Sequence, residues 1–324
     1  MLYRFTGGTD GTAPGSLIRD PAGNLYGITY WGGAFSGELY NDNSGTVFKV
    51  DTTGKKTVLH NFGGTPGDGT APTGLIRDAA GNLYGVTEFG GTGWGVVFKL
   101  DRTGVETVLH AFAGYPTDGG DPVGLLRDSA GNFYGVTAVG GTPSGNAGVV
   151  YKLDPTGHET ILYGFTGGSD GGSPSGSLVL DPAGNLYGAT IFGGAAPEGE
   201  TSGYGVVFKL DATGHETVLY TFSGGADGGQ PMAGLIGDSA GNLYGTTSPG
   251  GTTSTCTNGC GIIFRLDQTG KETVLRTFTG NADGAYPLIR FRGPGGNLYG
   301  FTDWFDATNF GQVFELQFAV KSLR

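Results

Sequence analysis

Hydrophobic and polar positions alternate along this chain in short runs, and the same runs recur from end to end. The pattern is plainest between residues 74 and 112. Gly74-Leu75-Ile76-Arg77 is a short apolar stretch. Asp78-Ala79-Ala80-Gly81 follows, a turn in which Asp accepts backbone N–H bonds and Gly is free to take positive φ. A second run spans Asn82 to Thr87. In Val96-Val97-Phe98-Lys99-Leu100, the side chains of Val96, Phe98 and Leu100 share one face and Lys99 points away. Another Asp-x-x-Gly turn, Asp101 to Gly104, leads into the run Glu106 to Phe112. Period-two stretches joined by such turns predict four antiparallel strands, A to D, in a meander. No segment carries a helical period of useful length.

The unit then repeats. Gly-Asn-Leu-Tyr-Gly occurs around Asn24, Asn82, Asn132, Asn185, Asn242 and Asn297, with Phe133 as its one change. Successive Asn residues lie 58, 50, 53, 57 and 55 positions apart. A unit of this length, repeated in tandem, belongs to solenoids and propellers. Six four-stranded meanders predict an all-β fold, a six-bladed β-propeller in a single domain. The expected blades are 9–62, 66–112, 116–165, 169–222, 226–278 and 282–316. Leu2-Tyr3-Arg4-Phe5 aligns with strand D residues such as Leu162-Tyr163-Gly164-Phe165, whereas the last copy ends near Phe314-Glu315-Leu316 without a strand D. The N-terminal strand, residues 1–5, is therefore expected to complete blade 6 and close the ring. A linear solenoid would need capping repeats instead.

The repeat reads Asp-x-x-Gly-Asn-Leu-Tyr-Gly-x-Thr, then Gly-Gly, then Gly-Val-Val-Phe-Lys-Leu-Asp-x-Thr-Gly-x-Glu-Thr-Val-Leu. It resembles the GloVer tandem repeat of bacterial choice-of-anchor proteins, over essentially the whole chain. The resemblance implies an exported, repeat-built surface protein. It carries no catalytic motif, so it transfers no functional residue.

Composition narrows the picture. Gly numbers 68 of 324 residues, without the Gly-X-Y period of collagen. A hydrophobic share of 37%, with 12% aromatics, suffices for a core. Net charge is −11 and the cations are scattered, which argues against a nucleic-acid partner. No apolar run reaches the ~18 residues of a membrane span. Cys256 and Cys260 close a Cys-Thr-Asn-Gly-Cys loop, which favours a disulfide and hence an oxidising, secreted or cell-surface setting. Half a metal site is the alternative; His60, His110, His158 and His215 fall in other segments and lend it no support. A closed ring is expected to be a monomer.

Function is expected where the copies disagree. The A–B and C–D turns are uniform, whereas the B–C loops vary greatly in length, and variable loops on a rigid scaffold concentrate binding and chemistry. All three Trp residues, Trp31, Trp94 and Trp304, fall on the variable face, in blades 1, 2 and 6. Tyr30, Phe35, Tyr40, Phe305 and Phe310 share this sector, as do Glu38, Asp42, Glu88, Asp303 and Asp306. Aromatics interleaved with carboxylates suit a glycan or cell-surface polymer, with Trp31, Trp94, Trp304, Tyr40 and Glu88 as ligand-binding residues. The plainer reading is that Trp31 and Trp304 cap the blade core, as Phe89 and Phe192 do at the same repeat position.

A polysaccharide-cleaving enzyme is the rival class. Its acids would come from Asp303, Asp306 and Glu38, or a lyase-type pair from Tyr30 and Arg290. Glu88 and Asp303 lie two blades apart, well over ~15 Å at ~4.8 Å per strand, too wide for paired glycosidase acids. Arg290 counts into a slot held elsewhere by Leu17, Leu75, Leu125, Leu178 and Leu235, where it would face a channel or pair with Asp303. A one-residue slip would make it an ordinary strand residue. No His stands on the variable face, and no cofactor motif appears. The recurrent Asp10, Asp68, Asp118, Asp170, Asp227 and Asp283 could ring a channel and hold calcium, although turn formation alone explains an Asp-Gly pair.

Overall fold

The computed structural model describes residues 2–35, 44–65, 67–116, 118–141, 146–196, 202–251, 256–302 and 311–318. Its architecture is all-β, a six-bladed propeller of antiparallel sheets with two single-turn 3₁₀ segments among the described residues. The chain divides into two compact units, Met1–Gly164 and Phe165–Arg324.

The first unit holds three blades. Blade 1 is β1 (Thr12–Arg19), β2 (Leu25–Trp31), β3 (Thr46–Val50) and β4 (Lys56–Asn61). Blade 2 is β5 (Gly69–Arg77), β6 (Leu83–Gly90), β7 (Val96–Leu100) and β8 (Glu106–Ala111). Blade 3 is β9 (Gly119–Arg127), β10 (Phe133–Gly140), β11 (Val149–Leu153) and β12 (Glu159–Gly164). Each sheet runs in chain order. The second unit repeats the plan in β13 (Gly172–Leu180) to β16 (Glu216–Thr221) and in β17 (Ile236–Gly237) to β20 (Glu272–Thr277). Its last sheet has three strands, β21 (Pro287–Arg292), β22 (Leu298–Thr302) and β23 (Val313–Leu316).

The Asn, the Tyr and the closing Gly of the repeated phrase each have a mechanical reason. In blades 1 to 5 the turn carboxylate (Asp20, Asp78, Asp128, Asp181, Asp238) accepts from the Asn backbone N–H and, at 2.7–2.9 Å, from the Asn side-chain amide. The Tyr hydroxyl of the phrase donates to the same carboxylate at 3.0–3.3 Å. The closing Gly lies under the strand C aromatic. A Cβ at Gly27, Gly85, Gly188 or Gly300 would fall 2.5–2.7 Å from Cζ of Phe48, Phe98, Phe208 or Phe314, which no real packing allows.

Blade 6 departs from this rule and compensates for it. Gly293 stands where the other turns have Asp, and Glu315 stands where strand C elsewhere carries Lys or Arg. Glu315 takes over the acceptor role, receiving Asn297 Nδ2 at 2.7 Å and the Tyr299 hydroxyl at 2.8 Å.

Successive blades are joined by one aromatic contact. The Phe that follows each strand D packs edge-on, or tilted in the last pair, against the strand C ring of the next blade. The pairs are Phe62–Phe98, Phe112–Tyr151, Phe165–Phe208, Phe222–Phe264 and Phe278–Phe314, with centroids 5.0–5.5 Å apart. Phe5 makes the same contact with Phe48 at 5.1 Å. Residues 2–6 therefore pack before blade 1 as a strand D does, although they form no strand.

Candidate functional site

A second join carries the polar chemistry. The residue before the recurrent Pro takes a left-handed backbone in every copy: Ala13, Ala71, Asp121, Ser173, Gln230 and Tyr286 have φ of 48–56°. A non-glycine residue there is strained, and it persists only where its surroundings hold it. The holding contact is a latch. The N–H groups of Ala71, Asp121, Gln230 and Tyr286 donate to the B–C loop carbonyls of Ser44, Trp94, Tyr204 and Cys260 of the preceding blade, at 2.7–3.1 Å. In blade 3 this brings the Asp121 side chain near Glu88 of strand β6 in blade 2.

In the first unit this brings residues of three blades together. Tyr30 and Glu88 occupy the same repeat position, six after the motif Asn, in blades 1 and 2. The Tyr30 hydroxyl donates to Glu88 Oε2. Asp121, the latch residue of blade 3, is close enough to feel the Glu88 charge. Burial first, and that charge second, push its carboxyl above the usual range. Trp31 stands edge-on to Tyr30, with centroids 4.4 Å apart. Trp94 lies flat over Gly114 and Gly120, where a Cβ would meet the indole at 2.5 and 2.7 Å, yet 39% of the residue stays exposed. Phe35, 44% exposed, covers Gly64 in the same way. The result is a hydrogen-bonded acid–phenol cluster flanked by two indoles.

Of the residues singled out by sequence, Tyr30, Trp31, Glu88 and Trp94 thus lie in this cluster. Asp303, Trp304, Asp306, Glu38 and Tyr40 lie outside the described residues, as do Asp42, Phe305 and Phe310. Asp121 was not singled out. Its signal was an acid before Pro122, where the other copies place Ala, Ser, Gln or Tyr.

Arg290 does not occupy the Leu slot. Gly300, the counterpart of Gly85, pairs with Ile289, and the register shifts by a bulge between Ile289 and Phe291, at Arg290. Ile289 is buried at 1% exposure and fills the slot, while Arg290 is exposed and lies 5.0 Å from the Phe301 ring centre. The recurrent Asp residues serve turns. Asp10, Asp68, Asp118, Asp170, Asp227 and Asp283 each accept a backbone N–H from four or five residues earlier, at 2.7–3.2 Å. Cys256 and Cys260 are disulfide-bonded and buried. No helix among the described residues is long and apolar enough to cross a membrane.

Comparison with known proteins agrees with this fold. A family model described as the Gloeobacter/Verrucomicrobia repeat matches residues 1–201 and 191–324. No curated protein matches the sequence. Among solved structures the chain is similar to virginiamycin B lyase from Staphylococcus aureus, with TM-score 0.56 and 14% identity, covering 96% of this chain and 86% of that one. It is similar to a gluconolactonase from Xanthomonas campestris, with TM-score 0.53 and 15% identity over 90% and 83% of the two chains. The extracellular domain of a protein assigned as a one-component system from B. thetaiotaomicron gives TM-score 0.56 and 12% identity, over 97% of this chain and 36% of that one. At these identities the likeness is one of fold.

Proposed function

Since the chain belongs to the Gloeobacter/Verrucomicrobia repeat family, whose repeated residues here serve turns and joins, we propose that its activity is binding of a glycan by the unrepeated cluster of blades 1 to 3. Trp31 and Trp94 offer flat apolar faces to sugar rings. Glu88, Tyr30 and Asp121 accept from and donate to hydroxyls beside them. The observation that carries this reading is the convergence of the Tyr30–Glu88 hydrogen bond and Asp121 near two indoles, with Tyr30, Glu88 and Asp121 at repeat positions where no other copy has the same residue. The Cys256–Cys260 disulfide fits an extracellular setting.

Glycan-array binding tests the reading. The wild-type chain should bind a defined polysaccharide class, and W31A/W94A should lose at least ~10-fold in affinity, the order of one lost stacking contact per ring. Undiminished binding by that variant would remove the indoles from the site.

A cleaving activity is the second reading, favoured by one observation. Asp121 is held toward its neutral form beside a second carboxylate, the combination with which acid-catalysed glycoside cleavage works. Propeller enzymes similar in fold, a lyase and a gluconolactonase, are compatible with it. Fragment release from a bound polysaccharide that is abolished by D121N, with binding retained, would select this reading over binding alone.

A further inference from the structure

His60 and His110 take the strand D position that Tyr163 and Tyr220 hold elsewhere, and two acids join each of them. Where blades 1 and 2 meet, the donor atoms of His60, Asp68 and Glu106 lie within 4.8 Å of one another. His110, Asp118 and Glu159 repeat the arrangement where blades 2 and 3 meet. We propose that these trios are two equivalent sites for a zinc-class divalent cation, each bracing one blade-to-blade join.

Distances carry the argument first. His60 Nε2 stands 3.6 Å from Asp68 Oδ1 and 3.9 Å from Glu106 Oε2. His110 Nε2 stands 3.5 Å from Asp118 Oδ2 and 3.6 Å from Glu159 Oε2. These separations exceed a hydrogen bond of ~2.7–3.2 Å. They approach the ~3.4 Å edge of a tetrahedron whose metal–ligand bonds are ~2.1 Å.

Unsatisfied donors and acceptors point the same way. His60 Nε2, Asp68 Oδ1 and Glu106 Oε1 are buried without a hydrogen-bond partner, as are His110 Nε2 and Glu159 Oε1. The Asp68 side chain is only 2% exposed, and its unpartnered oxygen is the one nearest His60. Leaving such groups unpaired is costly, and a cation between them satisfies the imidazole nitrogen of each trio and, in the first, Asp68 Oδ1.

Other joins of the same chain supply the control. At the blade 4–5 join the equivalent residues are Tyr220, Asp227 and Glu272, and the Tyr220 hydroxyl donates directly to Asp227 at 3.0 Å. Before blade 1, Tyr3 donates to Asp10 at 2.6 Å and Lys56 pairs with it at 2.8 Å. In both, the Asp carboxylate is met directly by the phenol, although Glu272 Oε1 keeps no hydrogen-bond partner. Imidazole is shorter than phenol and leaves a gap of ionic size. Each imidazole is held edge-on to a Phe ring, His60 on Phe62 at 4.8 Å and His110 on Phe112 at 4.7 Å. One nitrogen and two carboxylates suit zinc and its transition-metal neighbours, whereas calcium needs six to eight oxygens.

The untagged chain, stripped with a chelator and exchanged into metal-free buffer, is titrated calorimetrically with zinc chloride. Two equivalents are expected per chain, and the melting temperature should rise by several degrees. H60Y and H110Y copy the chain's own phenol–carboxylate clasp, so each should remove one equivalent and the double variant both. E106Q and E159Q provide isosteric variants should the phenol disturb the join. H158A and H215A, on exposed turns, should leave both equivalents in place. Absence of saturable uptake, or uptake unchanged in H60Y/H110Y, would overturn the proposal.

Discussion

Glu315 shows how one residue can preserve a turn from the neighbouring strand. It receives the Asn297 and Tyr299 donors that an aspartate receives in five other blades, and it does so beside Gly293, where that aspartate is missing. E315K should lower the melting temperature by about 1–3 °C, and G293D/E315K, which restores the arrangement of the other blades, should regain it. Equal melting of the single and double variants would break the link between the two positions. Glu272 offers a pH test. Burial first, and the charge of Asp227 second, raise it from 4.5 to about 7 in the fold. Between those values the native state binds the extra proton, so this residue's contribution to stability falls as pH rises from about 4.5 to 7. E272Q should therefore melt about 1–2 °C above wild type at pH 8 and level with it at pH 4.5. A gain that is the same at both pH values would assign the effect to packing instead.

Elements are fixed in this chain by glycine and aromatic pairs across neighbouring strands. Gly85 sits under Phe98, and a Cβ there would come within 2.6 Å of the ring and nearer still to the Gly74 carbonyl. G85A should cost about 1–3 kcal/mol in denaturant unfolding, the usual range for overpacking a filled core. The strands, their order and the turns were legible in the sequence because period-two patterning and Asp-x-x-Gly turns are local signals. The latch before strand A was not, since a positive φ at Asp121 or Tyr286 depends on a carbonyl in the preceding blade. Arg290 illustrates a related limit. Counting from Asn297 assumes an unbroken ladder, and the bulge after Ile289 shifts the count by one.

For the whole molecule, the repeat separates a shared scaffold from positions peculiar to single blades. Residues common to the copies close turns and seat one blade on the next; those that differ gather at Tyr30, Trp31, Glu88, Trp94 and Asp121. Sequence pointed to four of these five through the scarcity of Trp and the departures at one repeat position. It missed Asp121 because adjacency between blade 2 and blade 3 is a property of the fold. The most direct measurement is tryptophan fluorescence during titration with oligosaccharides from the class chosen on a glycan array. A saturable spectral shift is expected in the wild type, weakened at least ~10-fold in E88Q and in W94A, with their folds checked by circular dichroism. Saturable binding with identical constants in wild type, E88Q and W94A would contradict a ligand site in this cluster.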